Sequence, residues 1–319
     1  MKWRSHLLPK PKPFIARIAA LAGCFPILGL FGGMHWKLDL FNHFQVQYAA
    51  FIAIAVIVLL VLKSFRLAAF AAAFLIVPLG RLAPSFFGGI SKPIGTPVRI
   101  ATFNVLTSNT RYDDAVRWIR DTDPDVVFLP EVDNVWAIAL SPLLASHPHA
   151  IDHPVEGNFG FSFYSKLPIL SQEIIPCGRL GLPLLKARIQ GPTGEFTFFG
   201  AHPVPPTIEF WSNERDAFLR VIAEEVSKES RPVIVAGDLN ATRWSHGMKP
   251  LWKAGLNDSS LGHGAGSTWM RNNPLLAVPI DHVLFRDAKD KPGLANCRKR
   301  WIGPDLGSDH RAVVAEIAW

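Results

Sequence analysis

Three apolar runs crowd into the opening part of the chain, and nothing like them returns afterwards. The first extends from Phe14 to about Met34, with Arg17 near its start; the second, Val46 to Leu62, stops at Lys63. The third, Leu67 to about Leu82, carries Pro78 and Arg81 in its last turns. Runs of this length suit the hydrocarbon thickness of a bilayer, and a long arginine side chain close to an interface can snorkel out of it. A cleaved signal peptide is the rival reading of the first run. That run is long for a signal, lacks a small-x-small cleavage site, and is followed by further apolar segments. Residues 1–83 are therefore expected to form a membrane anchor of about three transmembrane helices. A re-entrant or interfacial helix is the alternative for the third. Residues 84–97, rich in Gly, Pro and Ser, read as a linker.

Charge follows the same division. Of 33 Lys/Arg and 26 Asp/Glu, ten basic residues and one acid precede Val98, leaving 23 basic residues against 25 acids for the rest. The basic balance is a topology signal and gives no argument for nucleic-acid binding. Lys2, Arg4, Lys10 and Lys12 precede the first run, and Lys63 and Arg66 separate the second from the third. Lys37 alone marks the other side. The positive-inside rule then puts the N-terminus in the cytoplasm. Three crossings deliver everything after about Ser85 to the outside; two leave it inside.

From Val98 onward short apolar strands alternate with helical stretches. Arg99–Val105, Asp125–Leu129, Gly160–Tyr164, Phe196–Gly200, Val233–Ala236, Ile280–Phe285 and Ala312–Ile317 read as strands. Asp113–Arg120 and Thr207–Lys228 read as helices, the latter with apolar spacing at Phe210, Phe218, Val221, Ile222 and Val226. Many strands with few helices between them suggest stacked sheets with outer helices. Cys177 and Cys297 make no zinc spacing and no disulfide framework. One bridge in an oxidising compartment and two unpaired buried thiols are the alternatives, the second being expected.

Polar residues gather where the strands stop. Val233–Ala236 is closed by Gly237-Asp238-Leu239-Asn240, and alternation puts Asp238 and Asn240 on one face. Taken alone this is common turn chemistry. A carboxylate beside a carboxamide nonetheless suits a phosphoryl centre, one activating water and the other donating to oxyanion charge. Glu131, after the run ending in Leu129-Pro130, is placed to hold a hard divalent cation. Asn104 ends the first strand, and His202 follows Phe199-Gly200-Ala201 as a candidate general acid. Asp281 sits inside the apolar Ile280–Phe285 run, where a carboxylate is costly unless paired, and a buried His would relieve the cost. Asp309-His310 precedes the last strand, offering a metal ligand and a proton carrier.

In order, Phe103-Asn104-Val105, Leu129-Pro130-Glu131, Gly200-Ala201-His202, Gly237-Asp238-Leu239-Asn240, Ile280-Asp281-His282 and Ser308-Asp309-His310 resemble the endonuclease/exonuclease/phosphatase superfamily. Each motif is weak, but six in order at family-like spacing are specific, and the resemblance covers about Val98 to Trp319. It implies a four-layered α/β/β/α sandwich, a catalytic domain over 98–319, behind an N-terminal transmembrane helical region. Glu131 would be the main Mg²⁺ ligand (Mn²⁺ as substitute), with Asn104 and Asp309 near the metal or its waters. Asp238 would orient or deprotonate the attacking water, Asn240 would stabilise the pentavalent phosphate, and His310, held by Asp281, would act on the phosphate or nucleophile. His202 would assist the leaving group. Pro130 stands where the family usually has Gln, and Lys166 where many members have Arg; both departures are expected to bear on substrate preference. Asn240-Ala241-Thr242-Arg243-Trp244-Ser245 also resembles bacterial membrane-anchored members.

The expectation is a multi-pass protein of the bacterial inner membrane with its catalytic domain in the periplasm. It would be a Mg²⁺-dependent phosphoesterase whose substrate is nucleic acid or a phospholipid or inositol phosphate. The lipid bilayer is its only other partner; no protein partner is expected. A catalytically silent scaffold used for binding or sensing is the alternative, disfavoured because no site residue is lost. A transport role finds little support in short spans without an intramembrane acid. Arg243-Trp244, Trp269-Met270-Arg271 and Arg298-Lys299-Arg300 would serve a nuclease, but ordinary surface is their better reading.

Overall fold

The computed structural model describes residues 11–88, 95–290 and 293–319. The basic stretch through Lys10 and the middle of the expected linker, 89–94, lie outside the described residues. The chain forms two units, Met1–Pro84 and Ser85–Trp319.

Five helices come first: α1 (Pro11–Gly29), α2 (Trp36–Leu40), α3 (Gln45–Val61), α4 (Phe65–Ala73) and α5 (Ile76–Phe87). Their packing reverses the usual sorting of side chains. Small residues (Ala16, Ala19, Ala55, Ala68, Ala71) fill the contact with Leu59, while Phe14, Leu21, Phe51, Ile54 and Ile57 point outward. Gly23 lets α1 close on Phe74, where an added Cβ would lie 2.4 Å from the ring. The link between α1 and α3 is tied by Asn42, whose Nδ2 donates to Gly29 O and Asp39 Oδ1, both at 2.8 Å. Arg81 Nη1 donates to Asn42 Oδ1 at 2.8 Å. Among the described residues α1 is the one single helix long and apolar enough to cross a bilayer, and α4 with α5 reach that length only as a bent pair; α3, with 17 residues, is shorter. The third apolar run is two helices meeting at 62°. Pro78 sets the break: it lacks the N–H that a continuous helix would bond back to Phe74, and is tolerated only in the first turn of α5.

The second unit contains β1 (Val98–Thr102), α6 (Tyr112–Thr122), β2 (Val126–Pro130), α7 (Asn134–Leu140), β3 (His149–His153), β4 (Phe161–Ser165), β5 (Ile169–Cys177), β6 (Leu182–Gly191) and β7 (Gly194–Gly200). After these come α8 (Glu209–Lys228), β8 (Val233–Asp238), α9 (Lys249–Lys253), β9 (Asn257–Asp258), β10 (Asp281–Arg286), β11 (Asn296–Ile302) and β12 (Val313–Ala318). All nine expected elements form, with ends shifted by up to three residues. Two six-stranded sheets result, ordered β11-β12-β1-β2-β4-β3 and β5-β6-β7-β8-β10-β9. Each is mixed, parallel only at β1–β2 and β7–β8.

Strand alternation builds four layers. Val126 and Phe128 of β2, with Ile234 and Ala236 of β8, face the space between the sheets, where the Phe163 and Phe198 rings meet, tilted at 46°, with centroids 4.9 Å apart. Val127 and Leu129 turn the other way, onto α6 and α7; Val233 and Val235 turn onto Phe218, Leu219 and Ile222 of α8. Central strands are thus buried on both faces, which is why they read as unbroken apolar runs. The outcome is the expected α/β/β/α sandwich. Cys177 and Cys297 are free and buried.

Candidate active site

The topology brings one end of every central strand to a single edge. β1 and β2 are parallel and end together, and the antiparallel β12 begins there; β7, β8 and β10 repeat the arrangement in the other sheet. The ladders continue past the strands: Val105 N donates to Pro130 O at 3.1 Å, Ala201 N to Ala236 O at 3.0 Å, and Leu239 N to Ile280 O at 3.0 Å. Asn104, Glu131, His202, Asp238, Asn240, Asp281 and His310 are thereby carried to one place.

They touch. Asn104 Nδ2 donates to Glu131 Oε1 at 2.8 Å and to Asp238 Oδ2 at 3.1 Å. His202 Nε2 lies 3.5 Å from Asp238 Oδ2 and 3.7 Å from Glu131 Oε1. Asp281 and Asp238 are direct cross-strand partners, an arrangement of like charges that destabilises a sheet. His310 relieves it, with Nδ1 at 2.9 Å from Asp281 Oδ2 and Nε2 at 3.6 Å from Asp238 Oδ2. The buried carboxylate anticipated to need a histidine has one. Asn240 N donates to Asp238 Oδ1 at 2.9 Å, while its Nδ2 donates to Pro203 O at 2.9 Å. Asp309 stands at the margin, 4.0 Å from His310 Nε2, its Oδ2 accepting from Trp269 Nε1 at 2.8 Å.

Electrostatics follow from burial and mutual charge. Burial alone would lower the His310 imidazolium, but the charges of Asp281 and Asp238 outweigh it and push its pKa up to about 10. His202 is raised by the same balance, burial opposed by Asp238 and Glu131. Burial would raise Asp238, yet His310 and His202 hold it below the ordinary carboxylate range. Backbone strain collects here too: Glu131 has φ +64° and Asn240 φ +48°, left-handed values uncommon outside glycine.

Three supporting side chains had no role in the site assigned from the sequence. Thr268 Oγ1 accepts from the backbone N–H of both Ile280 and Asp281 at 3.1 Å. Ser308 Oγ donates to Asn104 O at 2.8 Å and accepts from His310 N at 3.0 Å, coupling the segment after β1 to the segment before β12. Trp269, read as ordinary surface, holds Asp309; its place in an aromatic-basic triplet was the available signal. One expectation fails. Lys166 binds Asp123 and follows Ser165, which pairs with Val126 at the opposite end of β2 from Glu131. It sits at the wrong end of the strand to touch a substrate. Pro130 closes β2 and supplies the carbonyl that holds Val105.

Glu131 Oε2 is buried with no hydrogen-bond partner, Asp238 is a further carboxylate donor, and Asn104, which turns Nδ2 to both, would offer Oδ1 to an ion by rotating its carboxamide. This set fits a hard divalent ion. A second grouping, Asp238, Asp281 and His310, also brings ligand atoms within 4.8 Å of one another. There His310 Nδ1 is already committed to Asp281, so that trio suits proton handling better than coordination. Among sequence-family models, that of the Endonuclease/Exonuclease/phosphatase family matches residues 101–310.

The chain belongs to the endonuclease/exonuclease/phosphatase family.

Members of that family are divalent-metal-dependent hydrolases of phosphoester bonds. Solved structures share its sandwich. A humanized Danio rerio TDP2 is 22% identical, covers 70% of this chain and 99% of its own, and has a TM-score of 0.59. An endonuclease/exonuclease/phosphatase from Beutenbergia cavernae is 21% identical over 70% of this chain and 72% of its own, TM-score 0.57. The human Nocturnin catalytic domain, with bound sulfate, is 19% identical over 71% and 96%, TM-score 0.56. At these identities the likeness concerns the fold. No curated protein matches the chain.

Proposed function

We propose that this family member is a membrane-anchored, Mg²⁺-dependent phosphoesterase that cleaves its ester by in-line attack of water. The observation that carries the reading is the contact set joining Asn104, Glu131, His202, Asp238 and His310, with Asp281 behind. Glu131, with Asn104 and Asp309 nearby, would hold the ion. Bound there, the metal supplies Lewis-acid polarisation of a phosphoryl oxygen and neutralises developing charge. Asp238 accepts a hydrogen bond from the water and takes its proton. Asn240 Nδ2 also makes a long hydrogen bond of 3.4 Å to Asp238 Oδ2, and that weakly held hydrogen would turn to a phosphoryl oxygen. His310, oriented by Asp281, donates to the phosphate, and His202 protonates the departing alkoxide.

Anchoring is supported by the outward-facing large apolar side chains and inward small ones of α1 to α5, the sorting that lipid favours. With three crossings the catalytic unit faces the periplasm of a bacterial inner membrane. The Danio rerio TDP2 structure with a single-strand DNA product makes nucleic acid one substrate class to try, and phospholipid and inositol phosphates are the others. The test is hydrolysis of plasmid DNA and of a phospholipid and inositol-phosphate panel by the full chain, with and without chelator. Chelator-sensitive cleavage lost in both Asp238→Ala and His310→Ala is expected. Full activity in either variant sinks the mechanism.

A further inference from the structure

The loops that frame the site do not look like the walls of a groove for a polyanion. Val155 N donates to the carbonyl of Val132, the residue after Glu131, and Val155 is exposed. Ile208, 51% exposed, follows the Pro203 segment that holds Asn240. Leu275 and Leu276, 76% and 41% exposed, tip a loop whose base is bonded to the site: Trp269 bridges His310, and Met270 N donates to Asp309 O. Leu180 is exposed on the β5–β6 turn, which lies at the same end because Leu185 pairs with Gly200. Four loops, each tied at its base to this end of the sheets, thus present large apolar side chains to the outside.

Their charges point the same way. Arg179 and Arg271 on these loops are balanced by Glu156 on one of them and by Glu209 at the start of α8, all exposed. A nucleic-acid groove needs an excess of cations to neutralise phosphates, and residues 98–319 carry 23 basic side chains against 25 acids. An apolar rim with evenly mixed charge is instead complementary to a zwitterionic lipid surface, into which leucine and isoleucine partition while both signs meet head groups.

Resting on the phosphoesterase reading above, we infer that Val155, Leu180, Ile208, Leu275 and Leu276 form an interfacial rim that seats the mouth of the site on a zwitterionic bilayer. The substrate is then a phosphoester presented by an amphiphile at that surface.

The full chain, with exposed Cys24 replaced (Cys24→Ser) and a cysteine introduced as Leu275→Cys or Thr193→Cys, would carry an environment-sensitive dye. Thr193, on the β6–β7 turn, is at the far end of β7 from His202. With phosphatidylcholine vesicles bearing a chain nitroxide, the dye at 275 should be quenched and the dye at 193 spared. No quenching at 275, or equal quenching at both, overturns the proposal. In parallel, Leu275→Ser/Leu276→Ser should lower hydrolysis of a vesicle-borne phosphoester by about tenfold, leaving a soluble aryl phosphodiester unchanged. Equal loss on both substrates, or faster cleavage of DNA than of the lipid ester, also overturns it. Quenching at 275 with no phosphoester cleaved would uphold the rim and sink the proposed reaction, so the two failures are distinguishable.

Discussion

His310 stands between two carboxylates that face each other across a ladder, and its position makes them interdependent. Removing its orienting partner should therefore cost nearly as much as removing the imidazole. Asp281→Asn is expected to lower the turnover rate by roughly 10²–10⁴-fold with little change in far-UV circular dichroism. The double variant Asp281→Asn/His310→Ala should be no slower than His310→Ala, since residues acting as a unit are not additive. A product of the two single losses would show independent roles. Glu131→Gln tests a different function. It should abolish tight Mg²⁺ binding in calorimetry, because Glu131 Oε2 has no partner in the protein to compensate for its loss of charge.

At the scale of the strand, two features hold the site's frame. Gly237, at φ +144°, sits where a Cβ would fall 1.9 Å from Ala201 O, so β7 and β8 can close only on glycine. Gly237→Ala should lower the melting temperature markedly and depress activity together, as His202 and Asp238 are pushed apart. β9 and β10 are joined by a buried pair, His282 Nδ1 at 3.4 Å from Asp258 Oδ2. Burial would raise Asp258, but His282 and then the charges of Arg243 and Arg300 hold it well below the usual carboxylate range. A carboxylate depressed in the folded state adds stability that is complete above its unfolded pKa, about 4, and is lost as pH falls further. Thermal unfolding should thus fall more steeply between about pH 4 and pH 2 in the wild type than in Asp258→Asn. Parallel curves would remove Asp258 from the account.

At the scale of the whole molecule, the two units sort their side chains by opposite rules. The sandwich buries phenylalanine between its sheets, whereas α1 to α5 turn phenylalanine and isoleucine outward. Phe198→Ala, which opens a void between the sheets, should cost about 3–5 kcal/mol in denaturant unfolding. An outward change such as Ile57→Ala should be near neutral in detergent. After alkaline carbonate washing the full chain should stay with the membrane fraction. Protease added to spheroplasts should reach the catalytic unit if the crossings number three and spare it if they number two.

Strand centres were legible in the sequence because a strand buried on both faces must be apolar throughout, as Val126–Leu129 and Val233–Ala236 are. The polar residues that end those runs followed from the same logic, and Asp281, expensive where it stands, announced its need for a partner. Edge strands escaped: β5 is largely exposed and holds Pro176, and β11 is broken by a bulge between Cys297 and Lys299, so neither shows a clean period. The left-handed backbone of Glu131 and Asn240 and the Asp258–His282 pair were not legible at all, and the grip of Trp269 on Asp309 showed only as an aromatic residue in a basic triplet. Composition and local periodicity decide which segments become strands, helices or apolar spans, because those depend on neighbours a few residues away. Which carboxylate meets which histidine, and which loops share the mouth of the site, depends on residues as far apart as Asn104 and Ser308. The pairing of β1 with β12 brings that pair together, and only the stacking of the two sheets brings Asn104 within a hydrogen bond of Asp238.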